Sequence, residues 1–317
     1  MPVIKSDINE NTPLEQVNDT FLKERKISLF IKREDLNHPQ ISGNKWYKLK
    51  FNIQEARNKG KDTILTFGGA YSNHIYAVAA AGKIFNFKTI GIIRGEEHNP
   101  LNPTLSFAKE SGMEIFYLDR NSYRKKNSPE IYNELIKKFG DFYLLPEGGT
   151  NELAVKGCSE IIRNINLDYD YICCPCGTGG TLAGLITGLH GNKFALGFAV
   201  LKGALFLKEN VKTLLQSSAT SHLNNWDINL DYHSGGYAKF NKNLFEFIDR
   251  FSSLSKIPIE PIYTGKMLFG IYDLIAQGYF REETRIVAIH TGGLQGLNGL
   301  ISKKHLNSYI KLKAGLI

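Results

Sequence analysis

The stretch Ser42-Gly43-Asn44-Lys45-Trp46-Tyr47-Lys48-Leu49 places two lysines three residues apart, directly after a glycine turn. On a helix, residues three apart share a face, so the amines of Lys45 and Lys48 are predicted to lie side by side. Burial and a neighbouring like charge both favour loss of a proton from an amine. A neutral lysine amine can attack a carbonyl group and form a Schiff base. Two solvated lysines on a helix surface are the alternative that this stretch alone leaves open.

Short apolar strands alternate with helices along the rest of the chain. Strands are predicted at residues 27–32, 63–67, 88–93, 113–118, 142–145, 169–174, 194–200 and 285–289. Helices are predicted from just after Lys45 to about residue 60, at 72–83, 103–111, 129–139, 152–164, 180–189, 205–216, 244–251 and 266–277, and from about 297. This alternation predicts an α/β fold of two open, twisted, mainly parallel sheets with flanking helices.

In such folds, ligands bind where strands end and helices begin, and the first such place is a glycine turn at Gly68-Gly69. Ser72, Asn73 and His74 follow it at the predicted start of a helix. Their side chains and the first amide N–H groups of the helix suit a carboxylate ligand. Ser and Asn are also good N-cap residues, so a purely structural role is equally consistent with this turn.

The second glycine turn, Cys176-Gly177-Thr178-Gly179-Gly180-Thr181, also joins a strand to a helix. Its backbone N–H groups and two threonine hydroxyls can surround a phosphate, and the helix dipole favours an anion there. The turn lacks the Gly-Lys-Ser/Thr of a Walker A loop and the glycine spacing of a dinucleotide-binding loop. A simple phosphate-bearing ligand is therefore favoured over a nucleoside triphosphate, and a plain tight turn stays the alternative.

The charge balance of the chain is mildly basic. The 39 basic and 31 acidic residues give a net charge of +8, and the basic residues are dispersed. Neither an RNA-binding aromatic signature nor a zinc finger occurs, so a solvated basic surface is favoured over a nucleic-acid interface. No apolar run reaches the length of a membrane span, and the sequence predicts neither a nucleic-acid nor a membrane partner.

The four cysteines are Cys158, Cys173, Cys174 and Cys176. Their spacing does not match a zinc site, and the sequence has no second Cys or His pair that could complete one, so no metal is predicted. The favoured interpretation is that these cysteines are buried free thiols in a reducing compartment. The start of the chain also lacks the apolar run of a signal peptide, and we expect a cytoplasmic location.

Six motifs taken together resemble one enzyme family. They are Arg33-Glu34-Asp35, Ser42-Gly43-Asn44-Lys45 with Lys48, Gly68-Gly69 with Ser72-Asn73, Thr178-Gly179-Gly180-Thr181, Tyr263-Thr264-Gly265-Lys266 and His290-Thr291-Gly292-Gly293. In this order they resemble the 1-aminocyclopropane-1-carboxylate (ACC) deaminase / D-cysteine desulfhydrase family. Its members are pyridoxal-phosphate (PLP) enzymes of fold type II, the tryptophan-synthase-β-like class, and the resemblance implies that cofactor and a small amino-acid substrate.

The resemblance also implies roles for individual residues. Lys45 would hold PLP as a Schiff base and serve as the general base. The phosphate contacts would be Lys48, Cys176, Gly177, Thr178, Gly179, Gly180 and Thr181. Asn73 would lie beside the ring hydroxyl of the cofactor. Ser72 would be catalytic and would hold the substrate carboxylate together with Asn73 and His74. Tyr263, and Tyr237 in Gly235-Gly236-Tyr237, would be active-site tyrosines.

Two positions depart from the deaminase branch of that family. Thr264 and Thr291, both expected at the cofactor, stand where that branch has a glutamate and a leucine. A carboxylate at the cofactor nitrogen would favour the protonated pyridinium, a stronger electron sink, and a hydroxyl would not enforce it. The sequence therefore favours D-cysteine desulfhydrase-like β-elimination to pyruvate, ammonia and sulfide. ACC deamination and a non-catalytic PLP-binding role are the alternatives.

The length of 317 residues suits two domains. Family precedent implies a large PLP-binding domain formed by residues 1–47 and 150–317, and a small domain of residues 48–149, with PLP between them. It also implies a homodimer.

Overall fold

The computed structural model describes residues 8–297 of the chain. The strands are β1 Leu14–Gln16, β2 Ser28–Lys32, β3 Thr63–Gly68, β4 Lys88–Arg94, β5 Met113–Leu118, β6 Tyr143–Leu145, β7 Tyr171–Cys176, β8 Phe194–Ala199, β9 Trp226–Asn229 and β10 Arg285–Ile289. The helices are α1 Thr20–Glu24, α2 Asn44–Asn58, α3 Asn73–Phe85, α4 Pro103–Glu110, α5 Arg120–Arg124, α6 Pro129–Phe139, α7 Glu152–Ser159, α8 Gly180–Leu189, α9 Phe206–Ser217, α10 Lys242–Ser255 and α11 Thr264–Ala276.

Residue contacts divide the chain into two compact units. The larger unit contains Ile8–Lys48 and Asn151–Leu294, and the smaller contains Leu49–Thr150 together with residues 295–297. The change from one unit to the other falls inside α2, after Lys48. Within residues 8–297, no helix is both long and apolar enough to cross a membrane.

The smaller unit is built on a parallel four-stranded sheet in the order β5-β4-β3-β6. Every residue of the central strand β3 is buried, as expected where helices cover both faces of a parallel sheet. Leu65 and Phe67 on β3 pack with Ile131 and Leu135 of α6 in one apolar cluster. Helix α6 begins at Pro129, and the hydroxyl of its N-cap Ser128 accepts from an N–H of the first turn.

The larger unit contains a six-stranded sheet in the order β1-β2-β10-β7-β8-β9. Only the short edge strand β1 is antiparallel to its neighbour. Alternate residues of β10 belong to two different apolar clusters, Val287 and Ile289 to one and Ile286 and Ala288 to the other. This alternation follows from the two-residue period of a strand and shows that both faces of the sheet are covered.

The strand order brings the glycine turns of the larger unit together. Strands β2, β10 and β7 are parallel neighbours, so their carboxyl ends share one edge of the sheet. The segments that follow them are residues 33–35, 290–293 and 177–181, which carry three of the sequence motifs. The predicted α/β class with mainly parallel sheets is therefore confirmed.

Several element boundaries differ from the sequence-based predictions. Strand β7 continues through Pro175 to Cys176, whereas the prediction ended it at Cys174. The ladder with β10 ends at Cys173, and Cys176 O accepts from Val200 N–H on the β8 side. Because backbone N–H groups point alternately to the two neighbouring strands, the nitrogen of Pro175 points toward β10. The ladder with β10 has already ended there, so the missing N–H of Pro175 interrupts no ladder bond.

The predicted helix at 152–164 is also shorter than expected. It is α-helical only to Ser159 and continues as a 3₁₀ turn to Asn164. Strands β1 and β9 were not predicted, because both are short and lie at the edges of the sheet. The helix predicted from about residue 297 lies outside the described residues.

Candidate active site

The turn before α2 determines where Lys45 lies. Gly43 has a positive φ of 72°, and a Cβ there would collide with the backbone carbonyl of Thr291. Its N–H donates to Glu34 O at 3.0 Å and to Asn37 Oδ1 at 2.9 Å. Helix α2 then begins at Asn44, so Lys45 lies in its first turn.

The amine of Lys45 is linked through Asn44 to the start of α8. Lys45 Nζ donates to Asn44 Oδ1 at 2.7 Å, and Asn44 Nδ2 donates to Thr181 Oγ1 at 2.7 Å. Sequence reasoning assigned Asn44 no role of its own. Its place next to Lys45 was the only available signal, because its contact with Thr181 spans 137 positions of the chain.

Both lysines of the segment 42–49 are shielded from solvent. Lys48 is buried and Lys45 is half-buried, so the alternative of two solvated lysines is wrong. Burial, with a second contribution from the charge of Lys48, lowers the pKa of Lys45 to about 7. Burial also lowers the pKa of Lys48. A large fraction of Lys45 is therefore a neutral amine near pH 7.

The loop at the start of α8 supplies groups suited to a phosphate. Gly179 is the N-cap of α8 and has a positive φ of 85°. Because glycine has no side chain, the N-cap residue does not accept from the first N–H groups of the helix. Lys48 Nζ lies 3.4 Å from Thr178 Oγ1, and the hydroxyl of Thr181 lies at the helix start. The Lys48 amine, two hydroxyls and a helix N-terminus are thus close together.

The start of α11 brings the predicted tyrosine and threonine to this loop. A Cβ at Gly177 would lie 3.4 Å from Tyr263 Cε1, so the glycine leaves room for the ring. The ring of Tyr237 lies edge-on to that of Tyr263, with 6.0 Å between centroids. Thr264 is fully buried, and its Oγ1 has no hydrogen-bond partner among residues 8–297. Such an orphaned buried hydroxyl is expected where a ligand atom completes the site.

A buried carboxylate that the sequence analysis missed holds this start of α11. Glu260 accepts the N–H groups of Ile262, Tyr263 and Thr264 at 2.6–3.0 Å. Burial raises the pKa of Glu260, and these three N–H groups oppose the rise. An acidic residue shortly before a predicted helix start is the signal that could have identified it.

The turn at Thr291 is fixed by a neutral histidine. His290 Nε2 lies 2.8 Å from Pro258 O, which can only accept, and Nδ1 accepts from Gly292 N–H at 3.2 Å. These partners assign the proton to Nε2, and burial lowers the pKa of His290. Thr291 O in turn lies 3.4 Å from Asn44 N, so this turn supports the start of α2.

The remaining predicted residues, Ser72, Asn73 and His74, lie in the smaller unit at the start of α3. Ser72 is the N-cap, and its Oγ accepts from the N–H groups of His74 and Ile75. The His74 ring is buried, with Nε2 2.8 Å from Thr66 Oγ1. Asn73 Oδ1 accepts from Gln295 at 3.2 Å. The N-cap role is thus observed, and the substrate roles of these three residues stay predictions.

Comparison with known proteins agrees with the motifs. The "Pyridoxal-phosphate dependent enzyme" family matches residues 5–292. A Pyrococcus abyssi protein, provisionally named a 1-aminocyclopropane-1-carboxylate deaminase, is 30% identical over 87% of each chain. The bifunctional D-cysteine desulfhydrase/1-aminocyclopropane-1-carboxylate deaminase of Arabidopsis thaliana mitochondria is 31% identical over 85% of this chain and 73% of its own.

Solved structures agree on the fold. The crystal structure of an ACC deaminase homologue superposes with a TM-score of 0.82 at 27% identity, covering 97% of this chain and 95% of its own. A hydrogen sulfide-producing enzyme from Fusobacterium nucleatum, at 19% identity and a TM-score of 0.67, shares the fold over 93% of this chain and 98% of its own. The resemblance found in the six motifs is confirmed, and the chain belongs to the pyridoxal-phosphate-dependent enzyme family.

Proposed function

We propose that this protein removes the β-substituent and the amino group of a small amino acid, with D-cysteine as the preferred substrate. The observation that carries the proposal is the Lys45 amine, with its lowered pKa, joined through Asn44 to a phosphate-suited loop. In the net reaction the Cα–H, Cβ–S and Cα–N bonds break, one water supplies the keto oxygen, and pyruvate, ammonia and sulfide are released.

The residues of the larger unit fit PLP in three respects. The Lys45 amine is suited to covalent attachment of a carbonyl carbon. Lys48, Thr178, Thr181 and the N–H groups at the start of α8 would hold the phosphate. The orphaned hydroxyl of Thr264 is a polar partner for the ring. When bound, PLP withdraws electrons from the α-carbon of the substrate and makes loss of its proton easier.

The protein's own groups would bind the substrate and move the proton. Lys45 would take the α-proton of the substrate, because its lowered pKa keeps an appreciable fraction of the amine neutral. Ser72 is suited to the substrate carboxylate, because its Oγ accepts from two N–H groups of α3 and still has its own hydrogen to donate. Thr264 places a hydroxyl, not a carboxylate, at a fully buried position, which supports β-elimination over opening of a cyclopropane.

ACC deamination is the second candidate, because the Arabidopsis relative is named for both reactions. Purified protein with PLP should be incubated separately with D-cysteine, L-cysteine, β-chloro-D-alanine and ACC, and assayed for sulfide, pyruvate and 2-oxobutyrate. Sulfide and pyruvate from D-cysteine are expected. Release of 2-oxobutyrate from ACC would reverse the branch choice, and no product above a Lys45→Ala control would refute both activities.

Removing the charge of Lys48 should weaken PLP binding. A hydrogen bond to a charged group contributes about 1.5–3 kcal/mol, so Lys48→Met should raise the Kd for PLP roughly tenfold to a hundredfold. Equilibrium dialysis of the apo-protein against PLP measures this change. Lys50→Met, a half-buried lysine on the same helix, is the matched control and should leave the Kd unchanged. Equal Kd values for the two variants would remove Lys48 from the phosphate site.

The rate of covalent PLP capture should depend on pH through Lys45. Its pKa of about 7 means that the reactive neutral amine increases as pH rises through 7 and reaches a plateau above it. Stopped-flow absorbance of apo-protein mixed with PLP between pH 5.5 and 9 would show this midpoint. Because the charge of Lys48 helps lower that pKa, Lys48→Met should move the midpoint upward. A midpoint near 10 in the wild type would contradict the assignment.

The compartment and assembly form part of the proposal as well. All four cysteines are free and buried, which supports a reducing compartment such as the cytoplasm. We propose a homodimer, as family precedent implies. Light scattering of the purified protein in solution would test the assembly, and a mass of about 36 kDa would indicate a monomer.

A further inference from the structure

Lys266 is a fully buried lysine to which the mechanism above gives no task. It lies on α11, two residues after Thr264, and its side chain is 0% exposed. A buried ammonium group is costly unless polar partners replace the water it loses. Its partners therefore indicate what it does in the fold.

The Lys266 amine connects α11 to two other segments of the larger unit. Nζ donates to Gly236 O at 2.7 Å and lies 3.4 Å from Val200 O, just after β8. Burial lowers the pKa of Lys266 to about 8, and the nearby Glu260 carboxylate opposes that change. The amine thus remains mainly protonated at pH 7 and keeps three N–H donors for these carbonyls.

The segment that Lys266 holds leads directly to Tyr237. Gly235 and Gly236 have φ angles of 92° and 123°, which only glycine adopts readily. Within the segment, Gly236 N–H donates to His233 O at 3.0 Å and Lys239 N–H donates to Gly236 O at 3.1 Å, and the Lys266 amine ties this local turn to α11. The Tyr237 side chain is 38% exposed, so packing alone does not fix it. Its ring nevertheless lies edge-on to that of Tyr263, the N-cap residue of the helix that carries Lys266.

We propose that Lys266 is a positioning residue that anchors the carbonyl of Gly236 and thereby holds Tyr237 beside Tyr263 at the active site. One helix then orders both tyrosines: Tyr263 at its start, and Tyr237 through the amine one turn later. The catalytic consequence rests on the proposed function, whereas the anchoring itself does not.

The anchoring can be tested in the apo-protein by hydrogen exchange with mass spectrometry. Lys266→Met keeps most of the volume and removes the donors, so peptides spanning residues 233–240 should exchange at least about tenfold faster. Lys32→Met is the matched control, because Lys32 is also fully buried in the larger unit and donates to a backbone carbonyl, that of Thr12. Lys32→Met should leave exchange at residues 233–240 unchanged.

The effect on catalysis can be tested by a double-mutant cycle. Misplacement of Tyr237 should lower kcat of Lys266→Met roughly tenfold to a hundredfold. In a Tyr237→Ala background the same change should cost less than about threefold, since the residue through which it acts is gone. Lys266→Gln, which keeps a shorter N–H donor, replaces the methionine variant if that variant does not fold.

Two results would overturn the inference. Unchanged exchange at residues 233–240 would show that Lys266 does not order this segment. An undiminished loss of kcat in the Tyr237→Ala background would show that Lys266 acts by another route. Failure of the proposed function would appear separately, as a wild-type protein that releases no product, and the exchange measurement would still decide the anchoring.

Discussion

Lys45→Ala is expected to lower the rate of product release at least about a thousandfold and to remove the absorbance band of covalently held PLP. One side chain would supply both the covalent attachment and the general base, so its loss removes two contributions at once. Absorbance spectra of the PLP-treated protein measure the first loss, and steady-state assays with D-cysteine measure the second.

The control for this prediction is Lys50→Ala, on the same helix and half-buried like Lys45. It should keep both the band and the rate. Persistence of the band in Lys45→Ala, together with its loss in another lysine variant, would move the cofactor attachment to that other residue. Equal rates in wild type and Lys45→Ala would end the assignment of Lys45 as the base.

Gly43→Ala should destabilise the protein by about 2–4 kcal/mol, because it adds a steric collision to a strained backbone. The added Cβ would meet the carbonyl of Thr291, and the positive φ of Gly43 disfavours any side chain. The turn would have to open, which moves the first turn of α2 and with it the amine of Lys45. Urea unfolding of the apo-protein measures the loss of stability, and kcat should fall together with it.

Gly278→Ala separates the collision from the backbone strain. Gly278 has nearly the same φ, 73° against 72°, and a Cβ there would have no atom within 4 Å. It should therefore show only the cost of the conformation, about 1 kcal/mol. If both variants lost the same stability, the contact with Thr291 would not be what requires glycine at position 43.

Much of the fold could be predicted because it depends on local patterns. Strands β5 and β10 and helices α6 and α8 have the predicted boundaries. Ser128-Pro129 marks the start of α6, and Gly179-Gly180 marks the start of α8, so the information lies within a few residues of each boundary. The parallel arrangement likewise follows from the alternation of strands and helices.

The missing parts of the site depend on contacts between distant residues. Asn44 bridges Lys45 to Thr181, and Lys266 reaches Gly236, across separations that no local window contains. Lys45 and Lys48 also show what local sequence cannot predict. Their spacing predicted a shared face, but only their burial in the fold distinguishes a reactive amine from a solvated one.

Helices α8 and α11 differ at their N-termini in a way that affects how a ligand would be oriented. Just before and at the start of α11, the N–H groups of Ile262, Tyr263 and Thr264 already donate to the side chain of Glu260, whereas the N-cap of α8 is a glycine and has no side chain that could accept from the first N–H groups of that helix. We therefore expect a phosphate at the start of α8 and not at the start of α11. If a flat ligand with one dianionic end binds here as proposed, that end should lie at α8, and the orientation of the ligand would be set before any substrate arrives.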